Sequence, residues 1–203
     1  MKNDSIFRPL EKQHSAKIVK RIQKIQSRLI KSIYDEGPSQ YLIYEINLTL
    51  EATLWLATIL LISILMEMTI RDLLFYHTLH KKKVNPFISD KVSILERQIE
   101  DSIKPRYSIK YILRELKKKK LIDVNEMNCL ELLFERTRNP LHHGLFQRLV
   151  RNRGEGSENI YKIDLSDYFG RTDWRDLEYF LEIEGLNIIE EATKYIEKYS
   201  QLV

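Results

Sequence analysis

A chain of 203 residues, 43% hydrophobic and 31% charged, is the size of one ordinary domain and can bury a sizeable core. Its single cysteine, Cys129, excludes an intramolecular disulfide framework and a cysteine-based zinc cluster, and six glycines and five prolines are few turn formers, which favours helices. The net charge of +4 is uneven: residues 1–33 hold nine bases against two acids (+7), and residues 173–203 hold eight acids against three bases (−5).

Such a basic half favours a polyanionic partner; solvated helix faces are the bland alternative, and composition leaves both open. The opening MKNDSIFRPLEKQ has no apolar run and no small-residue cleavage site, so no secretory leader is expected. A lone cysteine suits a reducing compartment, and a cytoplasmic protein is the expectation. Cys129 itself, in MNCLELLF, reads as a small buried thiol.

The first helix is predicted over about residues 10–34. Ile18, Ile22, Ile25 and Leu29 recur at 4-3-4 spacing and form one apolar stripe, with Lys17, Lys20, Arg21, Lys24, Arg28 and Lys31 around it. DEGPS at 35–39 ends it. A second, longer helix is predicted from Tyr41 or Thr49 to about His80. Its middle, ATLWLATILLISILM at 52–66, is apolar round the whole circumference, so it belongs at the centre of a bundle or against a second chain. Fifteen apolar-rich residues between Glu51 and Glu67 fall short of the roughly 20 that a bilayer needs, so no membrane span is expected. Glu67 and Arg71 read as an i, i+4 pair. KKKVNP at 81–86 stops the helix, its lysines suiting the negative end of the dipole.

A third helix near 90–103 carries Val92, Leu95, Ile99 and Ile103. A fourth, about 107–120, has the clean face Ile109, Ile112, Leu113 and Leu116 and ends in KKKK at 117–120, a run that either caps the helix or meets nucleic acid. The fifth begins near Asp123 or Asn125, turns Met127, Leu130, Leu133 and Phe134 inward, and is predicted to end by Arg138 because Pro140 biases Asn139 away from helical dihedrals. A new helix then starts with Asn139 as its cap and Pro140 at its first position. Residues 151–172 are polar and turn-rich, with IYKIDL able to form a short extended arm, and read as a surface excursion. The last helix, about 173–200, offers Trp174, Leu177, Phe180, Leu181, Leu186, Ile189 and Tyr195 to the core, with Gly185 as its weak point. The whole reads as a single all-α domain: a basic helix at 1–36, a bundle at 41–150, the excursion, and a closing helix at 173–203.

The chemistry-bearing stretch is RNPLHHG, 138–144. At the predicted joint between helices, the Arg138 guanidinium can fork onto phosphate oxygens and free N–H groups of a new helix favour an anion. The imidazole of His143 titrates near neutrality and can move protons. These parts suffice for cleaving RNA through its own 2′-hydroxyl, with a base for that hydroxyl, an acid for the leaving 5′-oxygen and a cation for the phosphate. No H-x-x-x-H pair or carboxylate cluster stands at ligand spacing here, so neither a metal nor a cofactor is expected. Two blander readings stay open. Asn139-Pro140 is then only a cap, and Arg138 only the end of an ion-pair series with Glu131 and Glu135.

Arg138-Asn139-x-x-x-His143-Gly144 resembles the signature of the HEPN superfamily (higher eukaryotes and prokaryotes nucleotide-binding), R-x4–6-H, often with Asn, Asp or His after the Arg. The lead-in YILRELKKKKLIDVNEMNCLELLFERTRNPLHHG resembles that family's helix, short polar turn, helix and motif, and MEMTIRDLL resembles its central helix. The likeness spans residues 41–150 in pattern and 138–144 in specific residues. It implies a HEPN-like helical bundle that forms a homodimer with two motifs across a shared cleft. It also implies a metal-independent endoribonuclease, leaving a 2′,3′-cyclic phosphate and serving as a toxin or antiviral-defence effector, with an antitoxin or regulatory protein as a further partner. Carried over, Arg138 and His143 are catalytic and Asn139 orients the site; His142 has no fixed family role and either contacts the RNA or only covers the surface, and Arg136 is a further candidate for substrate binding. In the branch paired with nucleotidyltransferase antitoxins a Tyr often stands two residues after the motif His; here it is Leu145. The alternatives are a non-catalytic HEPN module that binds nucleotide, RNA or a partner protein, and a membrane-associated interaction protein using residues 52–66.

Overall fold

The computed structural model describes residues 14–33, 37–83, 91–94, 97–98, 109–142, 182 and 185–203, and at 135, 136 and 138–142 the backbone alone. The protein is all-α. Among the described residues there are six helices of ten residues or more and no strand: α1 (Ala16–Lys31), α2 (Pro38–Glu51), α3 (Trp55–Lys82), α4 (Ile109–Lys118), α5 (Val124–His142) and α6 (Leu186–Ser200). The third predicted helix is represented only by helical residues at 91–94 and 97–98. The excursion at 151–172 and the early part of the last helix, including Trp174, Leu177, Phe180 and Leu181, lie outside the described residues.

α3 is the axis of the bundle. Its 28 residues make a rod about 42 Å long at 1.5 Å per residue, and α2, α4, α5 and α6 all pack on it. Ile62, Leu65, Met66, Ile70 and Leu73 are essentially without solvent contact, each burial contributing about 1.5–3 kcal/mol. The apolar circumference seen in the sequence is therefore used mostly inward; Leu60 and Ile64 remain on the outside. No helix among the described residues is long and apolar enough to cross a membrane.

One predicted helix is in fact two. The chain breaks between Glu51 and Trp55, where Thr53 adopts a left-handed φ of 56°. The Leu54 N–H donates to the Thr49 carbonyl at 2.9 Å and the Thr53 N–H to the Leu50 carbonyl at 3.1 Å, the paired bonds of a Schellman cap. The hydroxyl of Thr58, one turn into α3, donates to the Thr49 hydroxyl at 3.0 Å and ties the turn shut. No Gly or Pro announced this break, because a β-branched residue fills the position where glycine is the usual choice. That choice costs roughly 1–2 kcal/mol. Thr53→Gly is accordingly expected to raise stability by about 1 kcal/mol in urea unfolding, with a melting point about 2–4 °C higher. A loss of stability would mean that Thr53 is not left-handed in solution.

The charge imbalance along the sequence is partly cancelled in space. α1 lies against α6 with Val19, Ile22, Ile25 and Leu29 inside and Ile18 at the margin. Beside this seam the Arg21 guanidinium donates to both Glu190 carboxylate oxygens, at 3.2 and 3.0 Å, and to Asn187 Oδ1 at 2.7 Å. Arg28 faces Glu197 at 3.4 Å, and His14 meets Glu182 at 2.7 Å. Part of the basic N-terminal surface is thus an internal partner for the acidic C-terminal helix. Gly185 stands at the start of α6, where an added Cβ would sit 3.3 Å from Ile59 Cδ1 and 3.8 Å from Trp55 Cβ, so its missing side chain lets α6 close onto the first turns of α3.

Candidate active site

α5 carries the motif and is built on a well-specified start. Asp123 and Glu126 form a reciprocal capping box: the Glu126 N–H donates to Asp123 Oδ1 at 2.8 Å and the Asp123 N–H to Glu126 Oε2 at 3.2 Å. Glu126 also receives the Lys198 ammonium and, at 3.3 Å, the Tyr199 hydroxyl of α6. Burial, followed by the Glu126 carboxylate, pushes the Tyr199 phenol above its ordinary range and keeps it a neutral donor. Leu130, Leu133, Phe134 and Thr137 then continue an inward stripe, the Thr137 hydroxyl satisfying the Leu133 carbonyl at 2.9 Å. Cys129 is exposed, which corrects the expectation of a buried thiol: it falls beside that stripe rather than on it, next to Tyr195.

The joint predicted at Arg138 is not a joint. α5 runs on through Arg138, Asn139 and Pro140 to His142. Asn139 is therefore not a helix cap, Pro140 is not a first helical residue, and the new N-terminus expected to supply anion-binding N–H groups does not exist at this point. The local bias of Pro140 is outweighed by the helix it sits on. Sixteen residues of a capped helix precede it, and the core spacing 130, 133, 134, 137 is continued by position 141. The proline still leaves its mark, since it has no N–H for the Arg136 carbonyl one turn back.

This continuity reorders the candidate residues. At about 100° per residue, positions 138 and 142 are one turn apart on the same strip of α5, next to the inward stripe. Position 139 lies on the far side of the helix from Thr137, and position 136 on the opposite flank from 138. Arg138, Asn139, His142 and Arg136 are thus brought onto one helix end, with 138 and 142 together and 136 apart from them. His143 lies outside the described residues, as does Gly144. Glu131, a member of the ion-pair series suggested for Arg138, faces Lys110 of α4 at 4.0 Å. The Glu67–Arg71 pair is present as expected, at 2.8 and 3.1 Å. Among the described residues no group of three or more His, Cys, Asp or Glu side chains gathers to hold a metal ion.

Elsewhere the notable titratable group is His77, near the end of α3. Burial, then the ammonium groups of Lys119 and Lys81 and the His80 ring, lower its pKa below the ordinary 6.5. The unfolded chain therefore takes up a proton at higher pH than the folded one does. His77 contributes its full share of stability above about pH 6.5 and loses it as pH falls through the lower folded value. His77→Gln is expected to flatten the decline in melting temperature between about pH 7 and pH 5; an unchanged slope would put the acid sensitivity elsewhere.

No known protein family, curated protein or solved structure matches the chain.

Proposed function

We propose that this is a HEPN-type, metal-independent endoribonuclease in which Arg138 and His143, assisted by Asn139, cleave RNA by attack of the 2′-hydroxyl at a site shared between two subunits. The observation that carries the reading is the run Arg138-Asn139-x-x-x-His143-Gly144 at the end of a capped helix that follows a packed neighbour, α4, within an all-α bundle. The guanidinium holds the crowded phosphate and the imidazole moves the proton, as in general acid–base catalysis. His142, one turn from Arg138, and Arg136 serve the bound strand. Pairing into a homodimer would use the apolar side chains left exposed on α2 and α3, namely Tyr41, Tyr44, Leu48, Leu60 and Ile64. A toxin or antiviral-defence role in the cytoplasm, held in check by an antitoxin or regulatory protein, belongs to the same reading.

The direct test is incubation of the purified chain with labelled RNA of mixed sequence in EDTA. Fragments ending in 2′,3′-cyclic phosphate are expected. RNA that is bound but stays intact would replace this reading with that of a non-catalytic HEPN module.

A further inference from the structure

We propose that the lysines at 81–83, closing α3, and at 117–120, closing α4, form a single surface that holds the phosphate backbone of RNA. The identity of the polyanion rests on the RNA reading above; the location of the surface rests on the fold.

In the sequence these are two separate runs, each explicable as a cation at the negative end of a helix. The fold brings them together. α4 packs against α3, and Lys119, just past the end of α4, and Lys81 of α3 both lie near enough to the His77 ring to lower its pKa; the lysines at 81–83 stand about 6–9 Å further along the α3 axis from His77. That spacing is close to the screening length of about 8 Å at physiological salt, so charge from both runs is felt at the end of α3.

Capping alone does not account for the arrangement. Lys83 and Lys120 occupy the left-handed positions that end their helices, with φ of 53° and 61°. At both, glycine would give the more stable cap. Each of these two lysines thus occupies a position whose backbone glycine would suit better.

Positive charge on this surface is mostly unmatched among the described residues, as it is for Lys17, Lys20, Lys24 and Lys31, but those four are spread over about 21 Å of α1. Arg21, Arg28, Lys194 and Lys198 each meet a carboxylate across or along the α1–α6 face and its neighbours. Here Lys118 alone has one, Glu115 of its own helix at 3.7 Å, and Lys82 donates to the neutral Gln98 amide at 3.3 Å. Among the described residues no carboxylate stands within ion-pair distance of Lys81, Lys83, Lys117, Lys119 or Lys120. Clustered like charges repel one another, and a phosphate backbone relieves that repulsion while releasing its own condensed cations.

The surface is distinct from the motif. From Val124 to Arg138 is a rise of about 21 Å along α5. At about 3.4 Å per stacked nucleotide, a strand running that length needs about six nucleotides.

The test uses the full chain carrying His143→Ala, so that binding is read without cleavage and a failure of the cleavage mechanism leaves the measurement intact. A fluorescein-labelled 20-nucleotide RNA is titrated and its anisotropy followed from 50 to 300 mM salt. The variant Lys81→Gln/Lys83→Gln/Lys117→Gln/Lys119→Gln is compared with Lys17→Gln/Lys20→Gln/Lys24→Gln/Lys31→Gln, which removes the same charge from the exposed side of α1. The first is expected to weaken binding about tenfold or more at 0.15 M salt. It is also expected to reduce the slope of log affinity against log salt by about 3, at roughly 0.7 for each phosphate no longer neutralised. Its melting temperature is expected to hold or rise, whereas lysines serving only as caps would lower it. Lys81→Gln and Lys119→Gln, each alone and too mild to unfold the chain, are expected to weaken binding in the same direction. Equal weakening by the α1 variant, unchanged binding by the 81–119 variant, or polyglutamate competing as well as unlabelled RNA would each overturn the proposal.

Discussion

Replacing His143 by alanine is expected to lower RNA cleavage in EDTA by about two to four orders of magnitude, the range that a positioned general acid or base contributes. Arg138→Ala is expected to fall by about two to three orders, the loss typical of one preorganised cation or donor on a transition-state oxyanion. Arg138→Lys should restore little, because an ammonium cannot grip two phosphate oxygens as a planar fork does. Helicity and melting temperature should stay as in the parent chain for all three, since none of them alters the inward stripe of Leu130, Leu133, Phe134 and Thr137. The continuous helix adds a sharper comparison. Position 142, not 143, is one turn from Arg138 on α5. His142→Ala is therefore a required partner experiment, and it is expected to weaken substrate binding more than turnover. If His142→Ala abolishes turnover while His143→Ala does not, the working imidazole is the one in helical register and the R-x4-H reading fails. Cleavage unchanged in both Arg138→Ala and His143→Ala removes the mechanism.

Pro140→Ala is expected to stabilise the protein by about 1–3 kcal/mol in urea unfolding. A proline inside a helix is about 3 kcal/mol less favourable than alanine, through the missing N–H and the clash with the carbonyl one turn back; near a helix end the penalty is partly relieved. Asn139→Ala should be nearly neutral in the same experiment, because Asn139 caps nothing in a helix that runs to His142. The opposite pair of outcomes identifies the break drawn from the sequence: Asn139→Ala costing about 1 kcal/mol, as the loss of a cap does, and Pro140→Ala giving no gain. The two substitutions also bear on catalysis. A proline retained in the last turns of the motif helix weakens that end, and a stabilised Pro140→Ala enzyme with reduced cleavage would show that the motif needs this looseness.

Particular elements show why some of this is readable in the sequence and some is not. The stripe Ile109, Ile112, Leu113 and Leu116 can be read directly, and all four are buried, because the 3.6-residue period of a helix that buries one face is written in its own residues. Asp123 as the cap of α5 is equally legible, since the capping box with Glu126 joins residues only three positions apart. The Thr53 break is not, because its signal is a backbone conformation adopted by a residue type that disfavours it. The Asn139-Pro140 joint misleads for a related reason: a dipeptide preference of a few kcal/mol yields to a helix already capped, propagated and packed on α3 and α4.

The sequence by itself determined the helical class and the inward faces of α1, α4 and most of α5, since these follow from periodicity and side-chain type. Only the tertiary structure decided which charges cancel and which do not. Arg21 and Arg28 find carboxylates more than 160 positions away, while of the lysines at 81–83 and 117–120 only Lys118 has one among the described residues, Glu115 of its own helix. Long-range electrostatics depends on distances that packing sets, and no local pattern encodes those distances.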